Sequence, residues 1–225
     1  MGGRMLAPVH RLKKAEIVQL ARGRCKHGHS FLAHYNCWVD EHPEAQEKIG
    51  FLDIESTNLK ADFGIILSWC LVPMNGDVIM ERSITAKELK TVLDRNVVEA
   101  AIKTISQFDR IVGHYSTRFD LPFLRSRALA NKLDFPKYGQ IKTADTWLMA
   151  KYKLKISSNR LENVARFLFG ETEKTRIDSL HWTRALMGNK EALDYILDHC
   201  RRDVRDLKRV YLSLMDFSRR ADNSI

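Results

Sequence analysis

No apolar run in the 225 residues approaches the length needed to span a bilayer, which argues against a helical membrane anchor. The opening MGGRMLAPVHRLKK lacks the apolar core of a secretory signal. A cytoplasmic location is therefore expected, with the four cysteines reduced. No GxGxxG and no P-loop is present, so the two commonest nucleotide-binding signatures are missing. There is no internal repeat, low-complexity tract or obvious interdomain linker. A chain of this length can build one good core with a small appendage.

What is present is positive charge. The net charge is +9 and the pI about 9.4, a balance that favours polyanionic partners, nucleic acid above all. The basic residues are spread out, so no disordered basic tail stands out. Hydrophobic residues make up 44% and charged residues 29%, ordinary values for a soluble globular protein.

Along the chain, HRLKKAEIVQLARGR (10–24) reads as a short basic helix, followed by a histidine- and cysteine-dense segment to about residue 42. KIGFLDIES and DFGIILSWCLV read as strands, and the Asn-Gly of PMNGD as the turn into a third, VIMERSIT. Thr85 and Glu88 have capping-box spacing, and helical periodicity then runs through Phe108. DRIVGH is a fourth strand, LPFLRSRALANKL a helix, and GQIKTADTWLMA holds a fifth short strand. NRLENVARFLF, DSLHWTRALMG and the segment from about 190 to 219 are helical in pattern. Hairpin-linked strands followed by alternating helices and strands predict an α/β domain with a mixed sheet over 46–225, after an appendage at 1–45.

The stretch IGFLDIEST places Asp53 and Glu55 in an otherwise buried strand. Residues i and i+2 share a strand face about 7 Å apart, so the two charges repel and resist desolvation. A divalent cation would compensate them, and a pair of such ions needs further carboxylates. GHYSTRFDLPFL offers Asp120 where the fourth strand gives way to a helix. YILDHCRRDVRDL offers His199 and Asp203, four apart and so on one helix face. Each has a plainer alternative. Asp53 and Glu55 could be a strand end facing solvent, and Asp120 a helix cap with Pro122 in the first turn. His199 and Asp203 could lie on a solvated face among Arg201, Arg202 and Arg205. Asp145, in TADTW, reads equally as support for a metal ligand or as a turn or cap residue.

DIE, then FDLPFL preceded by Gly-His, then HxxxD on a late helix resemble the three motifs of the DEDD (DnaQ-like) 3′–5′ exonucleases, which have the ribonuclease-H-like fold. LENVARFLFGETEKTRID is similar to the segment before the third motif in family-B DNA polymerase proofreading domains. The resemblance covers about 49–215. It implies Asp53, Glu55, Asp120 and Asp203 as ligands of two Mg²⁺ or Mn²⁺ ions and His199 as general base. His199 stands four residues before Asp203, the spacing of the branch that uses tyrosine, so the third motif is mixed; Tyr195, eight before, is no substitute. Where members of the family often carry Asn, this chain has Tyr115. Tyr115 and Phe119 are candidates to stack on substrate bases, or to be core.

CKHGHSFLAHYNC (25–37) holds five possible zinc ligands: Cys25, His27, His29, His34 and Cys37. A structural tetrahedral site needs four. The preferred set is Cys25, His29, His34 and Cys37, with His27 as the alternative to His29; the other reading is a loop of solvated histidines. Such a zinc would pin the N-terminal appendage near the nucleic-acid path. Cys70 reads as core, and Cys200 as turned away from the metal face.

The expected function is a metal-dependent 3′–5′ exonuclease acting on single-stranded or frayed nucleic acid, DNA first. It would be free-standing or partnered in a replication or repair complex. The alternatives are a non-catalytic nucleic-acid-binding module of the same fold and an RNA-processing or structure-directed nuclease.

Overall fold

The computed structural model describes residues 14–42, 46–173 and 178–217. Residues 10–13 of the expected basic helix, 174–177 of the GETEKTRID stretch, and 218–219 of the expected last helix lie outside them. The chain divides into two compact units between Lys48 and Ile49. No helix among the described residues is long and apolar enough to cross a membrane.

The first unit contains α1 (Lys14–Arg22) and α2 (Tyr35–Glu41), separated by a tight reversal closed by an antiparallel bridge between Arg24 and Ser30. Its core consists of Cys25, Phe31, Cys37 and Trp38, with Leu20 and Tyr35 packed against them.

The second unit is built on β1 (Ile49–Ser56), β2 (Ile66–Pro73), β3 (Met80–Ser83), β4 (Arg110–Gly113) and β5 (Lys142–Asp145), in the order β3-β2-β1-β4-β5. β1 runs antiparallel to β2 and parallel to β4, so the sheet is mixed. As the central strand, β1 is buried on both faces from Ile49 to Leu52, which explains its unbroken apolar start. The chain does not turn tightly at Asn75-Gly76: six residues join β2 to β3, whose register begins at Leu71 opposite Met80.

Helices cover both faces. Neighbouring residues of β2 point in opposite directions. Trp69 donates through Nε1 to the Val97 carbonyl of α4 (Arg95–Ile105), whereas the Cys70 thiol reaches the Leu197 carbonyl of α9 (Lys190–Leu214). Asp53 pairs with Cys70 across the ladder, so Asp53 and Glu55 project on the α9 face.

The capping box of Thr85 and Glu88 forms as the spacing predicts, but it starts only α3 (Ala86–Thr91). The single helix expected from 85 to 108 is broken at Leu93, which has φ 51°. The cause lies far along the chain. The fully buried Asp94 carboxylate takes a two-pronged contact from Arg127 at 2.7 and 2.8 Å and accepts the Ile66 amide at 3.0 Å. A continuous helix would turn that carboxylate away from its partners. Arg127 belongs to α5 (Asp120–Ala130). After β5 come α6 (Thr146–Lys153), α7 (Leu161–Phe169) and α8 (Ser179–Leu186), which pack on α9.

Candidate functional site

β4 pairs with β1 only as far as Phe51 opposite Val112. Beyond that point β1 continues alone on this side, and its last residues carry Asp53 and Glu55. Gly113 ends β4 because nothing larger fits: a Cβ there would meet the side chain of Ser116 at 2.3 Å. The chain then turns sharply through Tyr115, at φ 64°, and enters α5 at Asp120.

The turn is held by Asp145 at the end of β5. Its carboxylate accepts the amides of Tyr115 (2.8 Å) and Thr117 (3.1 Å), the Thr117 hydroxyl (2.6 Å) and the Trp147 amide (3.0 Å). Asp145 therefore has the cap and turn role. Asp120 does not cap its helix: the cap position is Phe119, with no side-chain bond. Instead the Asp120 carboxylate crosses to β1 and accepts the Ile54 amide at 3.2 Å, taking the place a β4 carbonyl would have had. Burial pushes its pKa up to about 7, and the negative charges of Asp145 and Asp203 add to the rise against the backbone hydrogen bonds it accepts.

α9 supplies the rest. His199 and Asp203 are 2% and 5% exposed, so the solvated-face reading is wrong in spite of three neighbouring arginines. His199 Nε2 lies 3.8 Å from Glu55 Oε1 and 4.0 Å from Asp203 Oδ2, and one donor atom from each of the three lies within 4.8 Å of the others. The helix is seated on the strand by Cys200, whose thiol donates to the Asp53 carbonyl at 3.4 Å. Burial, the Cys70 thiol, and the Asp53 and Glu55 charges hold that thiol well above its usual pKa. Glu55, His199 and Asp203 thus converge, Asp120 bonds to the backbone between Asp53 and Glu55, and the Asp53 carboxylate stands outside the three-residue group. Oxygen donors grouped in this way suit a hard divalent cation.

Phe119 is half-buried against the main core, its ring 5.6 Å from that of Phe123. Tyr115 is exposed, with its ring edge-on to Trp147 at 5.2 Å. The sequence reading missed Trp182 on α8. Its Nε1 donates to the Ser56 carbonyl at 3.1 Å, one residue past Glu55, and its ring meets His199 at 6.1 Å and 83°. A tryptophan within a helical pattern carries no local sign of such a contact.

In the first unit, Cys25, His27, His34 and Cys37 form a Cys₂His₂ cluster compatible with a zinc site. Of the two histidines considered for the fourth position, His27 lies in this group, while the ring of His29 stands edge-on to His34 at 5.0 Å.

Residues 50–215 match the RNase_H superfamily, about three quarters of the chain. The chain belongs to that superfamily. Its α/β architecture, a mixed five-stranded sheet flanked by helices, is the ribonuclease-H-like fold. Among solved structures, it is similar to the family B DNA polymerase of the hyperthermophilic archaeon Pyrobaculum calidifontis. The TM-score is 0.63 and the identity 17%, over 76% of this chain and 25% of the polymerase. The likeness therefore concerns the fold, and the match spans about a quarter of the polymerase's length. No curated protein matches.

Proposed function

We propose that this superfamily member is a metal-dependent nuclease of the DEDD type that removes nucleotides from the 3′ end of single-stranded or frayed nucleic acid. One observation carries the reading. Glu55, His199 and Asp203 meet within 4.8 Å, while Asp120 reaches the backbone between Asp53 and Glu55. The 3′–5′ direction rests on the resemblance of the three motifs to the DEDD exonucleases.

Asp53, Glu55, Asp120 and Asp203 would hold the divalent ions. When bound, such ions neutralise the phosphodiester and stabilise the attacking and leaving oxygens of an in-line displacement. His199 takes the proton of the attacking water at Nε2. The Glu55 and Asp203 carboxylates face that same nitrogen and stabilise the imidazolium that results. The Ile54–Asp120 bond and the Cys200 thiol keep strand, α5 and α9 in register, so the carboxylates do not have to be organised during turnover. Tyr115 and Trp147, with Lys151 Nζ 4.9 Å above the Trp147 ring, form a cationic aromatic surface suited to unpaired bases.

The test is degradation of 5′-labelled single-stranded DNA and RNA of equal sequence with Mg²⁺ or Mn²⁺, wild type against Asp53→Ala. A metal-dependent ladder shortening from the 3′ end, absent in the variant, is expected. Retained binding without cleavage under either metal would overturn the proposal in favour of a docking module.

A further inference from the structure

The 14–42 segment raises a question of stability before one of function. Its core is four residues, two of them cysteines. A segment this short cannot bury enough apolar surface to hold a fold, and such pieces usually rely on a disulfide or a metal. Ile17 and Val18 of α1 are even left 40% and 44% exposed, so α1 adds little.

The polar centre of the segment has the geometry of a metal site. Cys25 Sγ lies 3.3 Å from His34 Nδ1 and 3.9 Å from His27 Nδ1; Cys37 Sγ lies 3.4 Å from each. A tetrahedral zinc ion, with bonds of about 2.3 Å to sulfur and 2.0–2.1 Å to nitrogen, separates its sulfur and nitrogen ligands by about 3.5 Å. The four sulfur–nitrogen edges bracket that value. A disulfide between Cys25 and Cys37 would leave two imidazoles aimed at it without purpose.

Local structure explains how the ligands are delivered. Cys25 and His27 sit on a tight reversal in which the Cys25 amide donates to the His29 carbonyl (2.9 Å) and the Gly28 amide to the Cys25 carbonyl (2.8 Å). Gly28 has φ 81°, a conformation other residues rarely take, and Arg24 clasps the Gly28 carbonyl at 2.8 Å. His34 occupies the cap position of α2, and Cys37 lies in its first turn. His29 serves the turn through its carbonyl, while its ring flanks His34. Beneath the cluster, the fully buried Trp38 stacks on His42 at 4.7 Å.

We propose that Cys25, His27, His34 and Cys37 bind one Zn²⁺ through their two Sγ and two Nδ1 atoms, that His29 is not a ligand, and that residues 14–42 hold their fold only when the ion is bound. Soft thiolates with imidazoles select zinc over the hard ions suited to the carboxylates of the second unit. The inference is independent of the nuclease reading.

The test uses the full chain. Its zinc content is measured after purification. The metal is then stripped under reducing conditions and Co²⁺ titrated in excess Mg²⁺, which occupies carboxylate sites. Thiolate-to-cobalt charge transfer reports only the cysteine site, so its failure is separate from any failure of nuclease activity. One zinc per chain is expected, with an intense tetrahedral cobalt spectrum bleached by one equivalent of Zn²⁺. His29→Ala keeps the spectrum, whereas His27→Ala and Cys25→Ser lose it. Removing the metal opens amide hydrogen exchange across 14–42 and leaves the β1–β2 amides protected. A Cys25–Cys37 disulfide in place of zinc would overturn the proposal. So would a spectrum that survives His27→Ala but not His29→Ala, or undiminished protection of 14–42 in the stripped protein.

Discussion

Asp120 and Ile54, 66 residues apart, are joined by a hydrogen bond of 3.2 Å from the strand amide to the helix carboxylate. The bond places a third acid between Asp53 and Glu55 at the point where β1 loses its neighbour. Burial raises the pKa of Asp120 to about 7, and this hydrogen bond opposes the rise.

This gives a pH prediction. The carboxyl ordinarily titrates at 3.8, so its elevation in the fold stabilises the protein fully below that pH, and the benefit is lost as pH rises through about 7. The charges of Asp145 on β5 and Asp203 on α9 act in the same sense as burial, against the backbone hydrogen bonds the carboxylate accepts. In chelator, thermal stability should fall as pH rises from about 4 to about 7, by a few kcal/mol at most for this group. Asp120→Asn should flatten that dependence and raise the melting temperature of metal-free protein at pH 8. Scanning fluorimetry across pH checks it; a variant no more stable than wild type at pH 8 would contradict it.

His199→Ala should separate binding from chemistry. Loss of a general base lowers kcat by about 10²- to 10⁴-fold. The carboxylates remain, so the rise in melting temperature produced by Mn²⁺ should persist. Single-turnover rates beside a thermal shift check both halves.

Trp182→Phe removes the donor to the Ser56 carbonyl and keeps most of the ring. Stability should drop by about 1 kcal/mol in urea denaturation. Cleavage should slow more than binding weakens, because Ser56 adjoins Glu55 and the ring abuts His199. An unchanged kcat would show that the contact is structural alone.

Asp94→Ala should destabilise the second unit by about 3 kcal/mol, since it removes the carboxylate partner of the partly buried Arg127 guanidinium and leaves the buried Ile66 amide unpaired. Arg127→Met together with Asp94→Leu should recover a large part of that loss. Urea midpoints of the single and double variants measure it.

Much of the site was legible in the sequence because its signals are local. Two acids inside an apolar strand break the pattern of that strand, and His199 and Asp203 share a face by spacing alone. What was illegible depended on distant partners. Nothing near Asp120 says that it reaches Ile54 instead of capping α5. The arginines beside His199 suggest solvent, whereas the helix buries the histidine under Trp182. The break at Leu93 follows from Arg127, far along the chain. The choice of His27 over His29 turns on the left-handed Gly28 between them, which no ligand spacing encodes. A mixed sheet was accessible, since strands linked to one another and then alternating with helices leave that pattern, but the strand order and the early end of β4 beside the acidic half of β1 were not.

The most direct measurement is the anomalous scattering of Mn²⁺ in crystals of the full chain with a short oligonucleotide. The account predicts manganese among Asp53, Glu55, Asp120 and Asp203, and its loss in Asp53→Ala crystals that retain the fold. An active protein whose crystals hold no manganese at these carboxylates would contradict it.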